Sequence, residues 1–270
     1  MQTQQQQPSK PAKRMTLASV TTERRLPPVR VLIYGPGGVG KTTFASAAKD
    51  AIVIGAEDGA DYKQVAKFPP AETWQDVLDA LSVLRDEDHP HKTAVLDSVD
   101  WMEQLISSHV CAKHKKESLE SFGYGAGFAL VFDEMRAFIA QLERLRRDKG
   151  MGIVAIAHSA VKPFNNPEGE NFDRYELKLQ AAKNASVAGL WKEWPDFMLF
   201  ANFETLTSKE KNKPAKGEST GERHLYTQRT AAYDAKSRLA LPAQLPVEWS
   251  AFARAVKEAF DAEGKEQSDE

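Results

Sequence analysis

The stretch Gly35-Pro36-Gly37-Gly38-Val39-Gly40-Lys41-Thr42 matches the spacing G-x-x-x-x-G-K-[ST] in full, and Thr43 follows it. Side-chain-free positions let consecutive backbone N–H groups wrap a β-phosphate, and the helix start that follows adds its positive dipole end. Lys41 has the length to reach β- and γ-phosphates, and the Thr42 hydroxyl is a ligand for Mg²⁺. ATP with Mg²⁺ is therefore the expected cofactor pair. The metal needs a second oxygen donor, which Asp97 supplies at the end of the apolar run "TAVLD". Hydrolysis further needs a group that orients water beyond the γ-phosphate. Ser98, not a glutamate, follows Asp97, so the nearest strand-end carboxylate for that task is Glu57 in "AIVIGAEDGAD".

These residues must be positioned by alternating strands and helices. Val29–Tyr34 is a short apolar run, read as a buried strand, and Lys41–Lys49 follows as a helix. Strands are expected at 51–57, 92–98 and 151–159, with helices at 73–86 and 101–114 between them. Phe128, Val131, Phe132, Met135, Phe138, Ile139, Leu142 and Leu145 recur at spacings of three and four, marking a long helix that ends at Gly150. A polar stretch (160–190) follows, then an expected antiparallel pair at 196–206 and 223–233 joined by the loop 207–222. Trp191 and Trp194, three apart, read as a helix packing on the sheet. The fold class that results is α/β: a mostly parallel sheet with helices on both faces and antiparallel strands at the C-terminal end.

Composition narrows the setting. The chain has 270 residues, a hydrophobic fraction of 41%, a charged fraction of 27% and a net charge of −2. No global basic footprint points to nucleic acid, no apolar run approaches a membrane span, and the lone Cys111 excludes an internal disulfide. No membrane partner and a cytosolic setting are expected. Residues 1–26 read as a basic flexible tail, 27–256 as one domain, and 257–270 as an acidic flexible tail.

The order of these features resembles the RecA family of ATPases. The blocks "YGPGGVGKTTFA", "GAEDGAD", "LDSVD", "AIAHS" and "AKSRLALP" carry the likeness over roughly residues 29–245. With its short length, the chain is similar to phage-encoded RecA-like nucleotide-binding proteins, some of which are single-strand annealing recombinases. The resemblance implies a RecA-like P-loop core in which Glu57 is the catalytic glutamate. His158, where RecA itself commonly has glutamine, takes the place of a nucleotide sensor at a strand tip. Lys236 and Arg238, two apart and so pointing the same way, take the place of a basic pair that completes a neighbouring subunit's site. For a phage-encoded chain the cytosol is the host's.

The same resemblance implies single-stranded DNA as partner, self-association into a filament or ring, and a single-strand-binding protein as a further partner. It places DNA loops at "LESFGYGAGF" and in the polar stretch after His158. Local charge is mixed there. Lys113, Lys115 and Lys116 approach Phe122 and Tyr124, a basic and aromatic combination suited to single strands. Residues 160–185 set Lys162, Arg174, Lys178 and Lys183 against Glu168, Glu170, Asp173 and Glu176. Three other uses of the phosphate cradle stay open: a motor or loader acting on a protein partner, a small-molecule kinase, and a non-enzymatic scaffold that only binds ATP.

Overall fold

A computed structural model of the chain describes residues 15–55, 63–183, 185–208 and 216–266. Its sheet grows from runs that carry no charge between their ends. These include β1 (Arg30–Gly35), β2 (Ala51–Gly55) and β4 (Thr93–Asp97). Such runs suit strands covered on both faces. Side chains alternate across β1: Val31 and Ile33 pack on one layer, Leu32 and Tyr34 on the other. The first layer holds α1 (Lys41–Ser46) and α6 (Trp249–Glu266). The second holds α2 (Trp74–Asp86), α3 (Val99–Lys113), α4 (Ala126–Lys149) and α5 (Val187–Glu193). Helix α2 starts where expected because Thr73 and Asp76 cap each other: the Asp76 N–H donates to Thr73 Oγ1 (3.3 Å) and the Thr73 N–H to Asp76 Oδ2 (2.8 Å).

The remaining strands are β3 (Ala66–Lys67), β5 (Gly152–Phe164), β6 (Phe172–Leu177), β7 (Phe197–Ser208), β8 (Lys216–Tyr226), β9 (Lys236–Ser237) and β10 (Gln244–Pro246). They run in the order β10-β8-β7-β1-β5-β4-β2-β3. From β7 to β3 every pairing is parallel, while β8 and β10 are antiparallel to their neighbours. The fold is thus mixed α/β with a mostly parallel sheet and C-terminal antiparallel strands. Its register gathers the chemistry on one edge: Gly35 lies opposite His158, and Gly55 opposite Asp97. The carboxyl ends of the central strands therefore form a common rim.

Several expectations need correction. Helix α1 ends at Ser46 rather than Lys49. Residues 160–190 are not a loop throughout: β5 continues to Phe164 and pairs with β6 from Ser159↔Leu177 to Phe164↔Phe172, and α5 follows. Polar residues in this hairpin have partners inside the fold. Lys162 Nζ donates to the carbonyls of Leu177 (3.1 Å) and Leu179 (3.4 Å). Buried Arg174 pairs with Glu176 and Asp234, and Lys192 engages the same two acids. The expected strand at 223–233 instead spans 216–226, and the chain turns where Thr227 Oγ1 donates to the Pro242 carbonyl (2.6 Å). Tyr233 then stacks on Phe200 with ring centroids 4.5 Å apart.

The tails differ as well. Residues 257–266 are the second half of α6, not a flexible segment, because Phe252, Ala255 and Val256 seat that helix in the core. Arg24, expected in a flexible tail, lies over the Phe260 ring (4.0 Å) and pairs with Glu263 (2.8 Å). Residues 1–14 and 267–270 lie outside the described residues. Trp191 is fully buried in α5, and Trp194 donates from Nε1 to Glu143 (2.8 Å), so both belong to packing. Among the described residues no helix is long and apolar enough to cross a membrane.

Candidate nucleotide-binding site

Residues Pro36–Gly40 turn the chain from β1 into α1 at the carboxyl rim. Gly38 (φ +77°) and Gly40 (φ +105°) adopt backbone angles that a side chain disfavours. A Cβ at Gly35 would fall on the Ala201 carbonyl of β7, so the loop starts where two backbones touch. Val39 points down into the α1/α6 core and anchors the turn, while Gly37 and Thr43 face solvent. Lys41 is 6% exposed, and its ammonium donates to the carbonyls of Gly35 (3.0 Å) and Pro36 (2.9 Å). The cation is thus held over the loop that it is expected to serve.

Thr42 and Asp97, 55 residues apart in sequence, meet here: Thr42 Oγ1 donates to Asp97 Oδ2 at 2.8 Å. The Asp97–Ser98 peptide is cis, and both residues are buried. A hydroxyl and a carboxylate are hard oxygen donors, the set that Mg²⁺ takes alongside nucleotide phosphates. The residues present therefore fit a magnesium–nucleotide complex. Strand β2 reaches this rim at Gly55, but Glu57 lies outside the described residues.

His158 sits at the last paired position between β5 and β1, not at a strand tip, since β5 runs on into its hairpin. Its backbone N–H donates to Asp100 Oδ1 (3.0 Å), and its Nδ1 lies 2.9 Å from Asp100 Oδ2. Burial works to raise the Asp100 carboxyl, but the hydrogen bonds and charge of His158 outweigh it and hold the group below the usual carboxylate range. One turn along α3, Glu103 accepts from the Gln180 N–H (3.0 and 3.2 Å). Burial is the chief cause that pushes Glu103 up to about 7, and neighbouring Asp100 adds to it. Gln180 also donates through Nε2 to the Phe128 carbonyl at the start of α4 (3.4 Å). The first turns of α3 thus carry two separate polar contacts, Asp100 with His158 of β5 and Glu103 with Gln180, which also reaches the start of α4.

Lys236 and Arg238 are elsewhere. Strand β9 pairs with the beginning of β7, and that part of β7 pairs with the beginning of β1. The pair therefore sits about four residues, or ~13 Å, from Gly35 along the sheet, at its opposite end. Lys236 Nζ donates to the carbonyls of Lys192 (2.8 Å) and Glu193 (2.9 Å), which end α5. Burial, with Arg238 nearby, lowers its pKa. Arg238 Nε donates to Asp196 Oδ1 (2.7 Å), and its side chain is 63% exposed. Within one copy these two side chains do not join the phosphate loop.

Comparison with protein families matches residues 27–239 to an AAA domain. The chain belongs to that family. An AAA domain is a nucleotide-binding ATPase module, and the family typically uses Mg²⁺ with its nucleotide. No curated protein matches the chain. In this AAA domain the phosphate loop, Thr42 and Asp97 converge on the rim. Asp100 and Glu103 are the site-adjacent residues that sequence reasoning missed. Asp100 stands three residues after Asp97 in "LDSVD", where an acid in the first turn of a helix reads as a dipole partner. Nothing local in the sequence announces Glu103.

Proposed function

We propose that this AAA domain turns over Mg·ATP while bound to single-stranded DNA, with copies assembled side by side, in strand annealing or homologous recombination of the phage type. The observation that carries this reading is the continuity of β5. The strand passes His158, opposite Gly35, and extends beyond the rim as the β5–β6 hairpin. Asp100, at the start of α3, fixes His158 at the foot of that hairpin, and one turn further on Glu103 holds Gln180, which follows the hairpin and reaches the start of α4. Exposed Tyr124 stands two residues before α4, and Lys113, Lys115, Lys116, Lys178 and Lys183 are exposed as well. Lysines neutralise phosphates, and an exposed ring offers a stacking platform.

In this reading Lys41 steadies the β- and γ-phosphates, Thr42 and Asp97 hold the Mg²⁺, and Glu57 orients the attacking water. When bound, the metal supplies charge neutralisation between the phosphates. His158, fixed by Asp100, relays occupancy of the loop toward the hairpin. Lys236 and Arg238 serve the site of an adjacent copy, a role that their place at the far end of the sheet allows.

Fluorescence anisotropy of a labelled oligonucleotide tests the DNA part. Binding is expected to strengthen with Mg·ATP and to weaken steeply with salt. Tyr124→Ala is expected to cost about 1 kcal/mol or more of binding and to leave the fold intact, because the side chain is fully exposed. No binding at low salt with Mg·ATP present would overturn the DNA assignment.

A further inference from the structure

Two residues from distant elements come up against Gly40 of the phosphate loop. A Cβ at Gly40 would stand 3.1 Å from Nη1 of Arg223 on β8 and 3.8 Å from Cγ1 of Val247, just past β10. Both residues also line a cavity of about 540 Å³, together with Glu222, Gln244 and Glu248. The cavity therefore adjoins the loop, and its size falls within the ~300–1,000 Å³ of small-molecule sites.

A phosphate loop holds only the charged tail of a nucleotide, so the ribose and base must rest on a neighbouring surface. Arg223 has the right placement for that contact. Leu225, two residues on, packs in the α1/α6 core, so Arg223 projects to the same side of the sheet as α1. The side chain is exposed, and among the described residues its guanidinium has no hydrogen bond or ion pair. A planar guanidinium stacks on aromatic faces, which a nucleobase provides.

We propose that this cavity receives the nucleoside of the bound nucleotide, with Arg223 stacked on its base. The proposal rests on the ATPase reading. It adds the side of the loop on which the base lies and a residue that favours a nucleotide over bare polyphosphate.

Calorimetric titration of the full chain with Mg·ATP and, separately, with Mg·tripolyphosphate tests it. Arg223→Ala and the cavity-filling Gln244→Trp, both at exposed positions, are each expected to weaken ATP at least tenfold and tripolyphosphate less than twofold. Lys41→Ala is the control for the loop itself and is expected to lose both ligands. Wild-type ATP affinity in Arg223→Ala and Gln244→Trp would overturn the nucleoside site. Equal losses of both ligands in Arg223→Ala would also overturn it, by placing Arg223 on the phosphates. Retention of both ligands by Lys41→Ala would instead refute the underlying phosphate-loop reading, whatever the other variants do.

Discussion

Lys41→Ala is expected to cut ATP turnover at least 10²–10³-fold, the loss seen when one preorganised group that stabilises transition-state charge is removed. The reasoning is geometric. The ammonium lies inside the loop on the carbonyls of Gly35 and Pro36, within reach of where β- and γ-phosphates would rest on Gly38–Lys41. No other described lysine occupies the loop. The fold should hardly notice the change. Truncation leaves two carbonyls at the loop without their cation, but it also removes a desolvated charge. The melting temperature is therefore expected to move by no more than ~4 °C, equivalent to about 1 kcal/mol. A steady-state ATPase assay together with a thermal melt separates the two effects. Undiminished turnover in this variant would sink the assignment of the phosphate loop.

Asp196→Ala has the opposite profile: a large stability loss away from the phosphate loop. Asp196 is 7% exposed and accepts from Arg30 at its backbone N–H (3.1 Å), Nε (3.1 Å) and Nη2 (2.5 Å), and from Arg238 Nε (2.7 Å). Removing Asp196 strips four hydrogen bonds from this site and leaves Arg30 with Glu143 (3.0 Å) as its remaining ionic partner, so about 2 kcal/mol of stability should go. Burial works to raise the Asp196 carboxyl, but the hydrogen bonds and charge of Arg30 outweigh it and hold the group below its ordinary range. The sign of the pH dependence follows. The contribution is fully present above the unfolded carboxylate value near ~4 and disappears as pH falls through the lower folded value. Urea unfolding at neutral pH should show the loss, and the difference between wild type and Asp196→Asn should shrink on acidification. An undiminished difference at low pH would contradict the ionic account.

The residues that were legible in sequence are those whose structure is set by near neighbours. Gly35–Thr42 must turn because of its glycines, and the strands that end at Gly35 and Asp97 are apolar because both faces are covered. Their meeting at Thr42 and Asp97 follows from parallel strands that share a carboxyl edge. What was hidden depends on distant partners. The β5–β6 hairpin read as loop because Lys162 and Arg174 look solvated until Leu177, Leu179 and Asp234 are seen beside them. The end of α6 read as an acidic tail because its partners, Arg24 among them, come from the other end of the chain. Arg223 read as an ordinary strand residue, and only tertiary structure brings it to Gly40. Polar residues carry little local signal, since the same side chain serves solvent, an ion pair or a ligand.

The most direct test of the whole account is ATP turnover by the full chain, scanned over protein concentration with and without single-stranded DNA. Specific activity is expected to rise with protein concentration, because Lys236 and Arg238 would serve a neighbour's site, and to rise again when single-stranded DNA is added. Turnover that is indifferent to both would contradict assembly on DNA as the use to which this phosphate loop is put.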